Sequence, residues 1–297
     1  MSSRLRWLVA PPAGGLRSPL RLKATLASHY DDVRKVYDTA PFYAPGPYEA
    51  WLISACRQRM DLGPAHKIAD VGGGSGGFAS KLKQSTGAAW LSVIEPSADM
   101  LAGASSDPNV DAAECQGAVE WAESGLHSQG LPGGDCVPLR FDRVLLKEVV
   151  HHLDAPERLR MFDSLRSRRL TQDGRVLVVT RPQHDIDYPL WPAAREVWAA
   201  NQPSEGELIE ELRAAGFDFV RLHAHAYPHS VPTDEWCRLV KGRFWSTFSN
   251  FSDAELEAGC ALIREAACNA IPPVAGEEHL VRFEDRLLLI EARVTAR

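Results

Sequence analysis

The feature that most constrains this chain is the stretch Lys67-Ile-Ala-Asp-Val-Gly-Gly-Gly-Ser-Gly-Gly-Phe-Ala-Ser-Lys81, a short apolar run that ends in an acid and five glycines and then turns helical. A strand that delivers its carboxyl end into a glycine turn, followed at once by a helix, makes a ligand cradle. Missing side chains let a ligand approach the backbone, and free N–H groups of the first helical turn face it.

Two ligand classes compete for such a seat. Gly72, Gly74 and Gly77 satisfy the G-x-G-x-x-G spacing of a dinucleotide site. Asp70 discriminates between the two. A pyrophosphate is negatively charged and sits badly beside a carboxylate placed two residues before the first glycine, whereas a ligand carrying an ammonium and a sulfonium is attracted by it. A second apolar run, Ala89-Trp-Leu-Ser-Val-Ile-Glu95, also ends in an acid. A carboxylate at the end of the second strand, about twenty residues past the glycine turn, is placed to accept both hydroxyls of a ribose. It supports a nucleoside ligand without choosing between the classes.

With Asp70, Gly72, Gly74 and Gly76 in the order acid, x, Gly, x, Gly, x, Gly, the chain resembles the class I S-adenosylmethionine-dependent methyltransferases of the small-molecule type. The resemblance runs in motif order from about Lys67 to Pro182. It implies a doubly wound, mostly parallel seven-stranded α/β sheet, Rossmann-like, with N-terminal helices and a helical cap insertion. It implies S-adenosyl-L-methionine as cofactor, its methionine part held by Asp70 and Gly72 to Gly76, its ribose by Glu95, and the Lys147 backbone lying along it. Ala118 stands where the family often has an acid for the adenine amino group, which leaves that contact to backbone groups. In this sheet the first and fourth strands flank the order reversal where ligands collect.

Phe141-Asp-Arg-Val-Leu-Leu-Lys-Glu-Val-Val-His-His-Leu-Asp154 resembles the family's fourth motif. Val144 to Leu146 read as a strand, and Asp154 with Glu157 forms a capping box for a helix reaching Arg168. His151 therefore falls just past a strand end, on the ligand side. In the subset that methylates hydroxyls, a histidine there removes the acceptor proton, and a group of near-neutral pKa suits that role. His151 as catalytic base stands against His151 as a histidine supporting the loop. His152 diverges from it on a helix, which disfavours a histidine metal pair.

The rest of the chain reads as one catalytic domain with embellishments, which 297 residues at 45% hydrophobic content can support. The expected organisation is a basic leader over residues 1–27 and a methyltransferase domain over 28–297, with cap helices at about 183–203 and 233–270. The acid-free leader carries Arg4, Arg6, Arg17, Arg21 and Lys23. It reads equally as a tail of a cytoplasmic protein or as a mitochondrial transit peptide. Tyr30 and Tyr37 share one face of an expected helix over 28–40, as lid residues or as packing.

A formal net charge of −6 disfavours nucleic acid, and no apolar run is long enough for a bilayer, so a small-molecule acceptor fits best. Six scattered cysteines suggest reduced thiols. His223 and His225 share a strand face, but with His184 and His229 they match no closed zinc spacing, so no metal is expected. Within the cap, Trp236, Arg243, Phe244 and Trp245 are the candidates for lining an acceptor pocket. A nicotinamide-dependent oxidoreductase and a non-catalytic binding protein of the same fold are the alternatives.

Overall fold

The computed structural model describes residues 42, 46–124, 140–270 and 279–294. The expected helix over 28–40, with Tyr30 and Tyr37, and the leader lie outside these residues. The chain divides into two compact units. The larger takes Pro45–Arg181, Pro203–His225 and Leu287–Arg297, and the smaller takes Met1–Ala44, Pro182–Gln202 and Ala226–Arg286.

A seven-stranded sheet organises the larger unit. Its strands are β1 (Lys67–Val71), β2 (Trp90–Ile94), β3 (Ala112–Glu114), β4 (Phe141–Lys147), β5 (Leu170–Thr180), β6 (Phe219–Pro232) and β7 (Leu280–Arg293), in the order β3-β2-β1-β4-β5-β7-β6. The first five are mutually parallel and β7 runs antiparallel to β5. The doubly wound, mostly parallel sheet expected from the sequence is the one formed, and β1 and β4 are neighbours at the order reversal. Val144 to Leu146 of β4 and Val176 and Val178 of β5 are wholly buried, as continuous apolar strands covered on both faces should be.

The larger unit's helices are α1 (Pro47–Met60), α2 (Gly77–Thr86), α3 (Ala98–Ser106), α4 (Ala118–Ser124), α5 (Ala155–Ser164) and, past the smaller unit's α6 (Pro192–Asn201), α7 (Glu205–Ala214). The capping boxes at Asp154 and Ser204 form with both reciprocal bonds. Two local expectations fail. Helix α5 stops at Ser164 and passes into a wider π-type turn, Leu165–Arg169, where Arg169 turns inward to donate from Nε to the Trp121 carbonyl at 3.0 Å and to lie over the Trp121 ring. Helix α4, which presents Trp121 to the core, was not foreseen, because its seven residues are too few to show a period.

The smaller unit holds α6, α8 (Thr233–Lys241) and α9 (Asp253–Ala270) around an aromatic interior. A single helix from Thr233 to Phe248 does not form. Gly242 closes α8, Arg243 takes a left-handed φ of 55°, and a 3-10 turn follows at Ser246–Asn250. Tyr188, Trp198, Trp236, Phe244, Trp245 and Phe248 are all buried. Their rings meet at 4.6 Å for Phe244 with Trp245 and 5.1 Å for Trp198 with Trp245. The aromatic residues proposed as pocket lining are thus core, and Arg243 is held by the Phe251 carbonyl and by Asp253. Cys56, Cys237 and Cys260 are buried thiols, while Cys115 and Cys268 are exposed. No helix among the described residues is long and apolar enough to cross a membrane.

Candidate functional site

The geometry begins with strand register. Val71 pairs with Ile94, and Asp70 pairs with both Val93 and Leu145, so the residues that follow these positions emerge at one end of the sheet. Glu95 follows β2 there, Lys147 closes β4, and the glycine turn leaves β1. The N–H groups of Gly72 and Gly73 both donate to the Ile94 carbonyl, at 2.7 and 3.1 Å, which ties the turn to the end of β2. Gly72, Gly74 and Gly76 have φ of 73°, 57° and 77°, a region side chains resist. A Cβ on Gly72 would also stand 2.4 Å from Val149 Cγ2, because the chain leaving β4 packs directly on the turn.

Two carboxylates border this cradle. Glu95 Oε2 accepts the Gly74 N–H at 3.0 Å and Oε1 accepts the Ser97 N–H at 3.0 Å, so the acid fixes the turn. Asp70 is 3% exposed. Burial pushes its carboxyl up to about 7, Lys147 pulls it down, and the negative charge of Glu95 raises it again. The cradle therefore has a cost for negative charge and a place for a positive one. The Lys147 ammonium lies 5.2 Å from the Phe78 ring centroid.

Ala118 opens α4 and carries no polar atom. Two residues earlier the structure supplies one that sequence reading passed over. Gln116 follows β3, its N–H donates to the Glu114 carbonyl, and the same carbonyl accepts the Glu95 N–H. Its side-chain Oε1 is buried and has no hydrogen-bond partner among the described residues. An unpartnered buried carbonyl past the end of β3 suits a hydrogen-bond donor. A polar residue just ahead of Gly117 was the signal available in the sequence.

The second half of the site follows β4. Glu148 takes a left-handed φ of 61° and pairs with the buried Arg181 at 2.5 Å. That ion pair holds the backbone in a conformation rare for a side-chain-bearing residue. A 3-10 turn, Val150–His152, then presents His151, whose ring lies 4.0 Å from that of His152. His151 Nδ1 is buried without a hydrogen-bond partner among the described residues. Burial, and then the Arg181 charge, push its imidazole down to about 4. The ring is neutral at pH 7 and can accept a hydrogen bond.

No protein-family model and no curated relative matches the sequence. Among solved structures the chain is similar to the mycolic acid cyclopropane synthase CmaA1, solved with SAH and CTAB, at a TM-score of 0.57 and 14% identity over 91% of this chain and 98% of that one. It is similar to phosphoethanolamine N-methyltransferase 2 of Haemonchus contortus, solved with S-adenosyl-L-methionine, at 0.54 and 15% over 95% of this chain and 61% of that one. It is also similar to the [4+2]-cyclase SpnF, at 0.54 and 15% over 91% and 96%. Three names for three reactions on one architecture separate fold from chemistry. The chain has the fold of the class I S-adenosylmethionine-dependent methyltransferases.

Proposed function

We propose that the protein is an S-adenosylmethionine-dependent methyltransferase acting on a small-molecule acceptor. The observation that carries this reading is the pair of carboxylates, Asp70 and Glu95, bordering a glycine turn at the order reversal, close enough that one raises the pKa of the other. A dinucleotide would bring its pyrophosphate into that field. A donor with an ammonium and a sulfonium relieves it.

The residues present fit the donor. Asp70 and the turn Gly72 to Gly76 would hold its methionine part, Glu95 the ribose hydroxyls, and Gln116 Oε1 the adenine amino group, with the Lys147 backbone alongside. When bound, the donor supplies an electrophilic methyl group on sulfur. The protein's work is then to align an acceptor atom with that group and exclude water.

The finer reading is oxygen methylation assisted by His151. With its affinity for protons lowered, His151 is a poor base toward a free hydroxyl. Its neutral Nδ1 nevertheless accepts a hydrogen bond from the hydroxyl and orients it. An oxygen that had taken the methyl group, with the donor's sulfur–carbon bond broken, would be strongly acidic, and Nδ1 would be placed to take its proton. The deciding experiment supplies methyl-labelled donor and a metabolite extract to the native protein and to His151→Ala. Labelled product from the native protein, with a large loss in the variant, supports the reading. Full labelling by the variant removes His151 from the mechanism, and no labelled product from either points to the non-catalytic alternative.

A further inference from the structure

Helix α1 and strand β6 bring together, within the larger unit, basic groups that the proposed reaction does not use. Arg221, His223 and His225 alternate along β6, so the twofold strand period sets all three on one face. The His225 ring meets Trp51 of α1 edge-on at 5.9 Å. Arg59 lies about two turns further along the same helix, and its charge acts on both imidazoles. Nε2 of His223, Nε2 of His225 and Nε of Arg59 are buried, and none has a hydrogen-bond partner among the described residues. Folded proteins leave few such atoms, because each buried and unpaired polar group forgoes the hydrogen bonds it made in water.

The charges around these nitrogens are mostly positive. His223 faces Arg59, Arg221 and His225 on the positive side, and Glu291 of β7 as its carboxylate. Glu291 is already engaged by Arg175 at 3.1 Å. His225 faces Arg59 and no carboxylate. Burial and these cations hold both imidazoles below their ordinary range. A metal ion would meet two guanidinium groups here, and among the described residues no group of three His, Cys, Asp or Glu side chains could hold one. A small anion would meet three nitrogen atoms lacking partners.

We propose that the α1–β6 face binds a small oxyanion of the phosphate type, hydrogen-bonded by Arg59, His223 and His225. The site is separate from the glycine cradle. The carbonyl groups of Met60 and Asp61, at the end of α1, accept from Arg143 near the start of β4, whereas the cradle lies at the Lys147 end of that strand. Because the anion stabilises the imidazolium form, binding takes up protons and tightens as pH falls from 7.5 to 6.0.

The test titrates the full-length protein with inorganic phosphate, and with sulfate, whose charge does not change over this range, at both pH values and constant ionic strength, following heat and the histidine ring NMR signals. The expected result is saturable binding of both, with sulfate tighter at pH 6.0 by threefold or more and the His223 and His225 rings shifting together. Arg59→Gln should weaken phosphate at least tenfold and leave S-adenosylmethionine binding unchanged, which also shows that the variant is folded. Arg59→Lys, which keeps the charge, should retain binding within a few fold and serves if the glutamine variant does not fold. Repeating the titration with phenyl phosphate separates two sources of this chemistry. Equal affinity assigns the free ion, and tighter binding assigns a phosphomonoester whose organic part reaches Trp51. Rings that do not move when phosphate is added to the native protein overturn the proposal, as does undiminished binding by Arg59→Gln.

Discussion

The two halves of the candidate site treat charge in opposite ways. After β1 and β2, Asp70 and Glu95 concentrate negative charge around a turn with no side chains, and Asp70 is left poised near neutrality. After β4 and β5, Glu148 pairs with Arg181, whose charge together with burial holds His151 uncharged. The first half responds to a cation, and the second offers one hydrogen-bond acceptor and resists a proton. In the proposed reaction the first half would bind the donor by electrostatic contrast, and the second would not compete with the reacting atom for charge.

Substitutions in each half should show that difference, and the largest effect is expected at Glu95. Glu95→Ala removes both the ribose acceptor and the bonds that fix Gly74 and Ser97, so donor affinity measured by calorimetry should fall roughly a hundredfold or more. Asp70→Asn should weaken the donor about thirtyfold while making the ligand-free protein more stable at pH 7.5. The sign follows from the raised folded-state pKa: between the ordinary carboxylate range and about 7 the unfolded chain has released the proton that the folded chain still holds, so stability falls across that window, the loss is nearly complete at pH 7.5, and an amide avoids it. A thermal melt of the variant that lies below the native one at pH 7.5 would contradict this.

His151→Ala belongs to the other half. Turnover should drop about tenfold or more, with donor affinity unchanged within twofold. A parallel loss of donor binding would merge the two halves and end the comparison. Gln116→Leu should cost the least, a several-fold loss of donor affinity consistent with one neutral hydrogen bond, and no change in turnover at saturating donor.

The donor half was legible in the sequence because backbone geometry writes it there. Three glycines at positive φ and an acid at each of two strand ends can be read without any tertiary contact. His151 was legible as a position and not as a chemical state, since its low proton affinity depends on burial and on Arg181, thirty residues away in sequence. Gln116 escaped notice because the search there was for an acid, and an amide two residues earlier breaks the expected spacing. The smaller unit was the least legible part. Trp236, Phe244 and Trp245 look alike in sequence whether they line a pocket or fill a core, and only packing distinguishes the two. Likewise, His223 and His225 announced a shared face, but the cation opposite them comes from Arg59 on a helix remote in sequence.

The most direct test of the account is calorimetric titration of the native protein with S-adenosylmethionine and with NADH at pH 5.5 and pH 7.5. Across that window Asp70 passes from mostly protonated to mostly ionised, while His151 stays neutral. The account predicts that S-adenosylmethionine binds at both pH values and roughly tenfold or more tightly at pH 7.5, and that NADH does not bind. Binding of NADH without S-adenosylmethionine, or an affinity for S-adenosylmethionine that does not change between the two pH values, would contradict it.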